Sequence, residues 1–93
     1  MSSKVETYLG FAIKKGAVVF GCDSIKASRK KFFLLLRTPS LSSNSLSVLE
    51  TVSAKTDCPL REVDEFEILR KRNCKALAIC DKSLADAIRE NLM

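Results

Sequence analysis

Histidine is missing from all 93 residues, and with it go the commonest general base and the usual partner of a serine or cysteine nucleophile. Acid-base and nucleophilic catalysis therefore start at a disadvantage, and no residue is assigned a catalytic role. Paired Cys-x-x-Cys spacing is missing too. Cys22, Cys58, Cys74 and Cys80 are scattered, and without histidine the usual zinc-ligand sets cannot be assembled. Reduced, partly buried thiols are expected, with neither a metal nor a cofactor. Long apolar runs are also lacking. Even Phe32 to Leu36, which no run exceeds, falls far short of the roughly 20 residues that span a bilayer, so no membrane helix is expected. The opening residues, Met1 to Thr7, show neither the basic start nor the apolar stretch of a secretory signal, which points to the cytoplasm. Nothing in the pattern implies a small-molecule substrate, and oligomeric state is not encoded in it.

What is present suits one folded domain, residues 1–93. A chain of that length hides roughly two thirds of its unfolded surface, enough for one modest core. Apolar residues make up 46% and charged residues 29%, and no segment combines low hydrophobicity with dense like charge. Sixteen Lys and Arg against eleven Asp and Glu leave a formal charge of +5, which favours a polyanionic partner through counterion release.

Periodicity organises the chain into alternating elements. Val5, Tyr8, Leu9, Ala12 and Ile13 form the stripe of a helix that packs on a core, stopped by Gly16 after Lys14 and Lys15. Ala17 to Phe20 is a short buried strand between Gly16 and Gly21. Cys22 or Asp23 opens a second helix that turns Ile25 inward and ends near Ser28, before the basic run Arg29-Lys30-Lys31. Phe32 to Arg37, apolar without a break to Leu36, reads as a strand covered on both faces, and Thr38-Pro39-Ser40 ends it. A serine-rich loop leads into a third helix capped by Ser43 or Asn44. Pro59 to Val63 reads as a short strand whose leading proline is tolerated at a strand's first residue or on an edge, Asp64 as the cap of a helix carrying Phe66 and Leu69, and Ala76 to Cys80 as the last strand. Asp81 caps a final helix with Leu84, Ala87, Ile88 and Leu92 inward. This order predicts an α/β protein: a three-layer α/β/α sandwich of four short strands, in a largely parallel or mixed sheet, with five helices.

The segment Leu9-Gly10-Phe11-Ala12-Ile13-Lys14-Lys15-Gly16-Ala17-Val18-Val19-Phe20-Gly21 resembles the opening of the ribosomal-protein L-seven-Ae/L-thirty-e family, in particular its bacterial YlxQ-like branch. Phe32 to Leu36, Ser43-Asn44-Ser45, Cys58-Pro59-Leu60 and Ala76 to Asp81 follow in the family's order, so the resemblance runs from Val5 to Leu92. It implies a ribonucleoprotein function: binding of kink-turn or otherwise bent, bulged RNA, with ribosome association as one setting. It also implies two contact places, the start of the second helix, Gly21 to Lys26, and the loop Arg72-Asn73-Cys74-Lys75. The RNA-binding residues expected on this basis are Lys15, Gly21, Asp23, Ser24, Lys26, Arg72, Asn73 and Lys75. Asp23 and Ser24 stand where strong kink-turn binders resemble one another in an Asn-Glu pair, and Lys26 comes one place early.

Two blander readings stand beside the RNA reading. The basic clusters at Lys14-Lys15, Arg29 to Lys31 and Arg70 to Lys75 could each be a solvated helix end that complements a dipole. The whole domain could be a protein-interaction module that kept the fold and lost specific RNA binding. An enzyme reading needs the thiol of Cys80, leaving a strand at a helix start, but no base or second cysteine lies near it in sequence. Tyr8 and the five phenylalanines fall on core positions, so recognition by stacking of single-stranded bases is not suggested.

Overall fold

The stripe that begins at Val5 folds as α1, Lys4–Lys15, and buries Val5, Leu9 and Ala12. Gly16 ends it as expected: at φ 78 it donates to the Ile13 carbonyl at 3.1 Å while Ala17 donates to that of Ala12 at 2.9 Å. These are the two bonds of a Schellman turn, whose left-handed residue is least strained as glycine. The computed structural model describes residues 4–92, so residues 1–3 and 93 of the expected single domain, including the start of the segment read for a signal, lie outside the described residues. After α1 come β1 (Val18–Phe20), α2 (Cys22–Ala27), β2 (Leu34–Arg37), α3 (Ser43–Thr56), β3 (Leu60–Glu62), α4 (Glu67–Lys71), β4 (Ala76–Ile79) and α5 (Lys82–Glu90).

The α/β sandwich with five helices and four strands is what forms, and its sheet is mixed rather than largely parallel. The strand order is β1-β4-β2-β3. Only β2 and β3 pair parallel, and β4 runs antiparallel to both of its neighbours. The reason lies in α4. Five residues of helix advance only about 7 Å, too little to carry the chain back along a strand roughly 13 Å long. The chain leaves β3 and re-enters the sheet at the same end, so β4 must run the other way.

Burial follows the pleat. Leu34, Leu36, Leu77 and Ile79 face α1 and α5, packing with Leu9, Ala12, Ala85, Ile88 and the Leu69 side chain of α4. Leu35, Ala76 and Ala78 face α2 and α3 and meet Ile25 and Leu49. Cover on both faces explains why the β2 and β4 sequences read as unbroken apolar runs. At the edges β1 is half-buried, while β3 exposes Arg61 and Glu62. Glu62 lies opposite Arg37, its ion-pair partner at 3.1 Å.

Two helix starts differ from expectation. Ser42, not Ser43 or Asn44, caps α3, its hydroxyl accepting from the Ser45 N–H at 3.2 Å. Every residue from 42 to 45 is a competent cap, so the cap falls where Leu49 reaches the core. Asp64 caps nothing through its side chain; α4 begins after Phe66, placed by the burial of Leu69. Asp81 does cap α5, accepting from the Leu84 N–H at 2.9 Å.

The core is therefore most sensitive at the central strands. Leu36→Ala, at a side chain with no exposure, is expected to destabilise the protein by about 2 to 5 kcal/mol. Urea denaturation would show this as a lower midpoint at unchanged slope.

Candidate functional site

Because β4 enters beside β1, its first residue meets the residue that follows β1. Gly21 N–H donates to the Ala76 carbonyl at 2.9 Å. Gly21 sits at φ 85 and ψ 144, a region that only glycine occupies without strain, and a Cβ there would meet nothing within 4 Å. Conformation, not space, requires this glycine. It turns the chain into α2, whose first turn receives no side-chain cap, and Ile25, buried beneath, pins that turn to the sheet.

The opposite wall is the loop between α4 and β4. Asn73 is left-handed at φ 50 and ends α4 with a second Schellman turn, donating to the Arg70 carbonyl at 3.0 Å while Cys74 donates to that of Leu69 at 2.9 Å. Asparagine is the side-chain-bearing residue that tolerates this conformation best. The loop is tied to the end of β2 by Thr38, whose N–H donates to the Lys75 carbonyl at 2.9 Å. Thr38 is buried, and its hydroxyl lies 3.1 Å from that of Ser40, which in turn donates to Glu65.

Between these walls lies an open cleft of about 470 Å³, within the range of small-ligand sites. Gly21, Asp23, Ser24, Asn73 and Lys75, five of the eight residues singled out in the sequence, line it together. Cys22, Leu41, Ser45 and Ala76 complete the lining. Leu41 and Ser45 were not expected here; the only signal for them was the serine-rich run after β2, which read as loop and cap. The Cys22 thiol donates to the Ser45 carbonyl at 3.6 Å and so joins the starts of α2 and α3. The lining carries one acid, Asp23, and one cation, Lys75, so hydroxyls, an amide and backbone groups dominate its chemistry.

The other three expected residues lie elsewhere. The Arg72 guanidinium stacks 5.0 Å from the ring centre of Phe20, at the same end of the sheet but outside the cleft. Lys26 borders a separate hollow beside Ser47, Val48, Thr51 and Val52 of α3. Lys15 lies at the far end of the sheet and pairs with Asp81. The Lys15 ammonium, followed by the Leu84 N–H, holds the Asp81 carboxyl below the usual aspartate range. That contribution is present above the ordinary aspartate pKa and is lost as pH falls through the lowered one.

Burial pushes every thiol up, Cys58 to about 11. Cys80, the residue that an enzyme reading would need, therefore lacks the depressed pKa of a reactive cysteine. No group of three or more metal-ligating side chains occurs among the described residues, and no helix among them is long and apolar enough to cross a membrane.

No family model matches the sequence, and no curated protein matches it. Among solved structures, a protein of unknown function from Bacillus halodurans is similar over 98% of both chains, with a TM-score of 0.86 and 11% sequence identity. At that identity the likeness speaks for the fold alone.

Two outcomes follow from the cleft walls. Gly21→Ala is expected to cost about 1 to 3 kcal/mol despite the open space around it, measured as a lower thermal or urea midpoint. Iodoacetamide at pH 8 is expected to label the half-buried Cys22 and Cys80 before the buried Cys58 and Cys74, with peptide mass spectrometry reading the order. Cys58, whose thiol burial pushes up to about 11, should be among the slowest.

Proposed function

We propose that this protein binds structured RNA without catalysing a reaction on it, receiving an unstacked base or the bent backbone of a bulged, kink-turn-like helix in the cleft at the start of α2. The observation that carries this reading is convergence: Gly21, Asp23 and Ser24 meet Asn73 and Lys75, some fifty residues away in sequence, across one polar cleft. Those are the two places that the resemblance to the L-seven-Ae/L-thirty-e family implies for RNA contact. Ser24, Ser45 and Asn73 supply donors and acceptors suited to a base edge or ribose hydroxyl, and Lys75 supplies a phosphate contact. A cytoplasmic ribonucleoprotein, ribosomal or otherwise, is the setting that goes with this reading.

The alternative, a protein-interaction module, has one observation in its favour. Phe11 on α1, expected from the sequence in the core, is instead 55% exposed, the kind of aromatic that a protein partner covers.

The test compares a bulged RNA with a plain duplex of equal length. The wild type is expected to prefer the bulged RNA. Asn73→Gly keeps the left-handed backbone and removes only the amide, and should cut that preference by about tenfold. Lys75→Gln should weaken binding to both RNAs and flatten the salt dependence by roughly 0.7 to 1 unit of slope. Equal wild-type affinity for the two RNAs would leave only charge attraction and return the cleft to the interaction-module reading.

A further inference from the structure

Six cations that the cleft does not use gather at the opposite end of the sheet. Lys14 and Lys15 close α1 there, Arg29, Lys30 and Lys31 form the turn between α2 and β2, and Lys82 opens α5. Backbone bonds bring these segments together: Cys80 N–H donates to the Ala17 carbonyl at 2.8 Å, and Phe33 N–H donates to that of Ile79 at 2.9 Å. Lys15 reaches Asp81 across the same junction. Lys30 is near enough to act on the Cys80 thiol, opposing the larger, upward effect of burial.

The two ends differ in charge balance. Around the cleft, Arg70, Lys71, Arg72 and Lys75 are offset by Asp23, Asp64, Glu65 and Glu67, the last of which pairs with Lys71 at 3.5 Å. At the basic end, Asp81 is taken by Lys15 and Asp86 pairs with Lys82 at 3.1 Å, while Lys55 and Asp57 offset each other at the end of α3. Lys14, Arg29, Lys30 and Lys31 form no ion pair among the described residues. Helix dipoles account for Lys14 and Lys15 alone. Arg29 to Lys31 belong to no helix, and Lys82 stands in the first turn of α5, where the dipole opposes a cation. Crowding like charges destabilises a fold, and a bound polyanion is what offsets it.

The turn is also held in place. Lys30 N–H donates to the Ser28 hydroxyl at 3.1 Å, and the Lys31 ammonium lies 5.5 Å from the ring centre of Phe33. Phe32 is buried and Phe33 half-buried, so the turn itself offers no aromatic platform to unpaired bases. We infer that this basic end is a second nucleic-acid contact, a sequence-independent seat for the phosphate backbone of a duplex, separate from the cleft and standing whether or not the cleft binds RNA.

The test uses the full chain and two triple variants that lose the same charge. One is Arg29→Gln/Lys30→Gln/Lys31→Gln; the other, Lys4→Gln/Arg61→Gln/Arg89→Gln, removes exposed cations outside the patch. Each is titrated with a plain RNA duplex, a plain DNA duplex and phosphatidylserine vesicles between about 50 and 200 mM salt, with urea midpoints confirming that both variants fold. The turn variant is expected to bind duplex at least about tenfold more weakly and to lose roughly 2 to 3 units of salt slope, three phosphate contacts' worth. The control should stay within about twofold of wild type, since charges beyond roughly 8 Å are screened at physiological ionic strength. The RNA and DNA arms identify which duplex the seat takes. Equal losses in both variants, an unchanged turn variant, or a loss confined to the vesicles would overturn the inference. A wild type with no preference for bulged over plain RNA, but with the turn-specific loss, would remove the cleft reading and leave this one intact.

Discussion

The insertion of β4 between β1 and β2 is the constraint from which the rest of the structure follows. Its four residues are all buried, Leu77 and Ile79 toward α1 and α5, Ala76 and Ala78 toward α2 and α3. Alanines on the second face leave room for α2 and α3 to approach the sheet closely, and leucine and isoleucine on the first fill the space beneath α1 and α5. Because β4 enters at the end where β1 and β2 finish, its leading residues are drawn against Gly21 on one side and Thr38 on the other. The cleft is the gap left at that junction, and its walls are as firm as the ladder beneath them.

Much of this was legible from residue pattern. The α1 stripe with its Gly16 stop, the Asp81 cap, the two-faced burial of residues 34–36, and the strands after Pro59 and at Ala76 all rest on local rules that tertiary structure had no reason to override. Strand direction did not belong to that class. Alternation of helix and strand says nothing about whether a linking helix is long enough to cross the sheet, and the five residues of α4 are not. Caps were ambiguous where serines crowd together, since Ser42, Ser43, Asn44 and Ser45 have near-equal propensity and packing at Leu49 chose among them.

The candidate site shows the same division. Gly21, Asp23, Ser24, Asn73 and Lys75 were expected as neighbours only because the family resemblance implies the start of α2 and the loop before β4 as contact places, and the structure brings these five to one cleft. Lys15 is not brought there, and the cause is simple: Gly16 and Gly21 flank β1, so they stand at opposite ends of the sheet although they are near in sequence. A cation beside the first glycine is a strand's length from the second. That distance separates a polar cleft, whose lining holds one acid and one cation, from a strongly basic surface.

The same pair of glycines has a consequence for self-association. An exposed strand edge is a template on which another chain can add, and such addition needs several consecutive extended residues. Gly16 and Gly21, both at positive φ, break the extended run on either side of Val18-Val19-Phe20 and hold that edge to three residues. At the far edge Pro59 precedes a strand whose Arg61 and Glu62 are charged and exposed. Neither margin of the sheet presents the long, flat, apolar border from which fibrils grow, so the glycine that shapes the cleft also shields an apolar strand from intermolecular pairing.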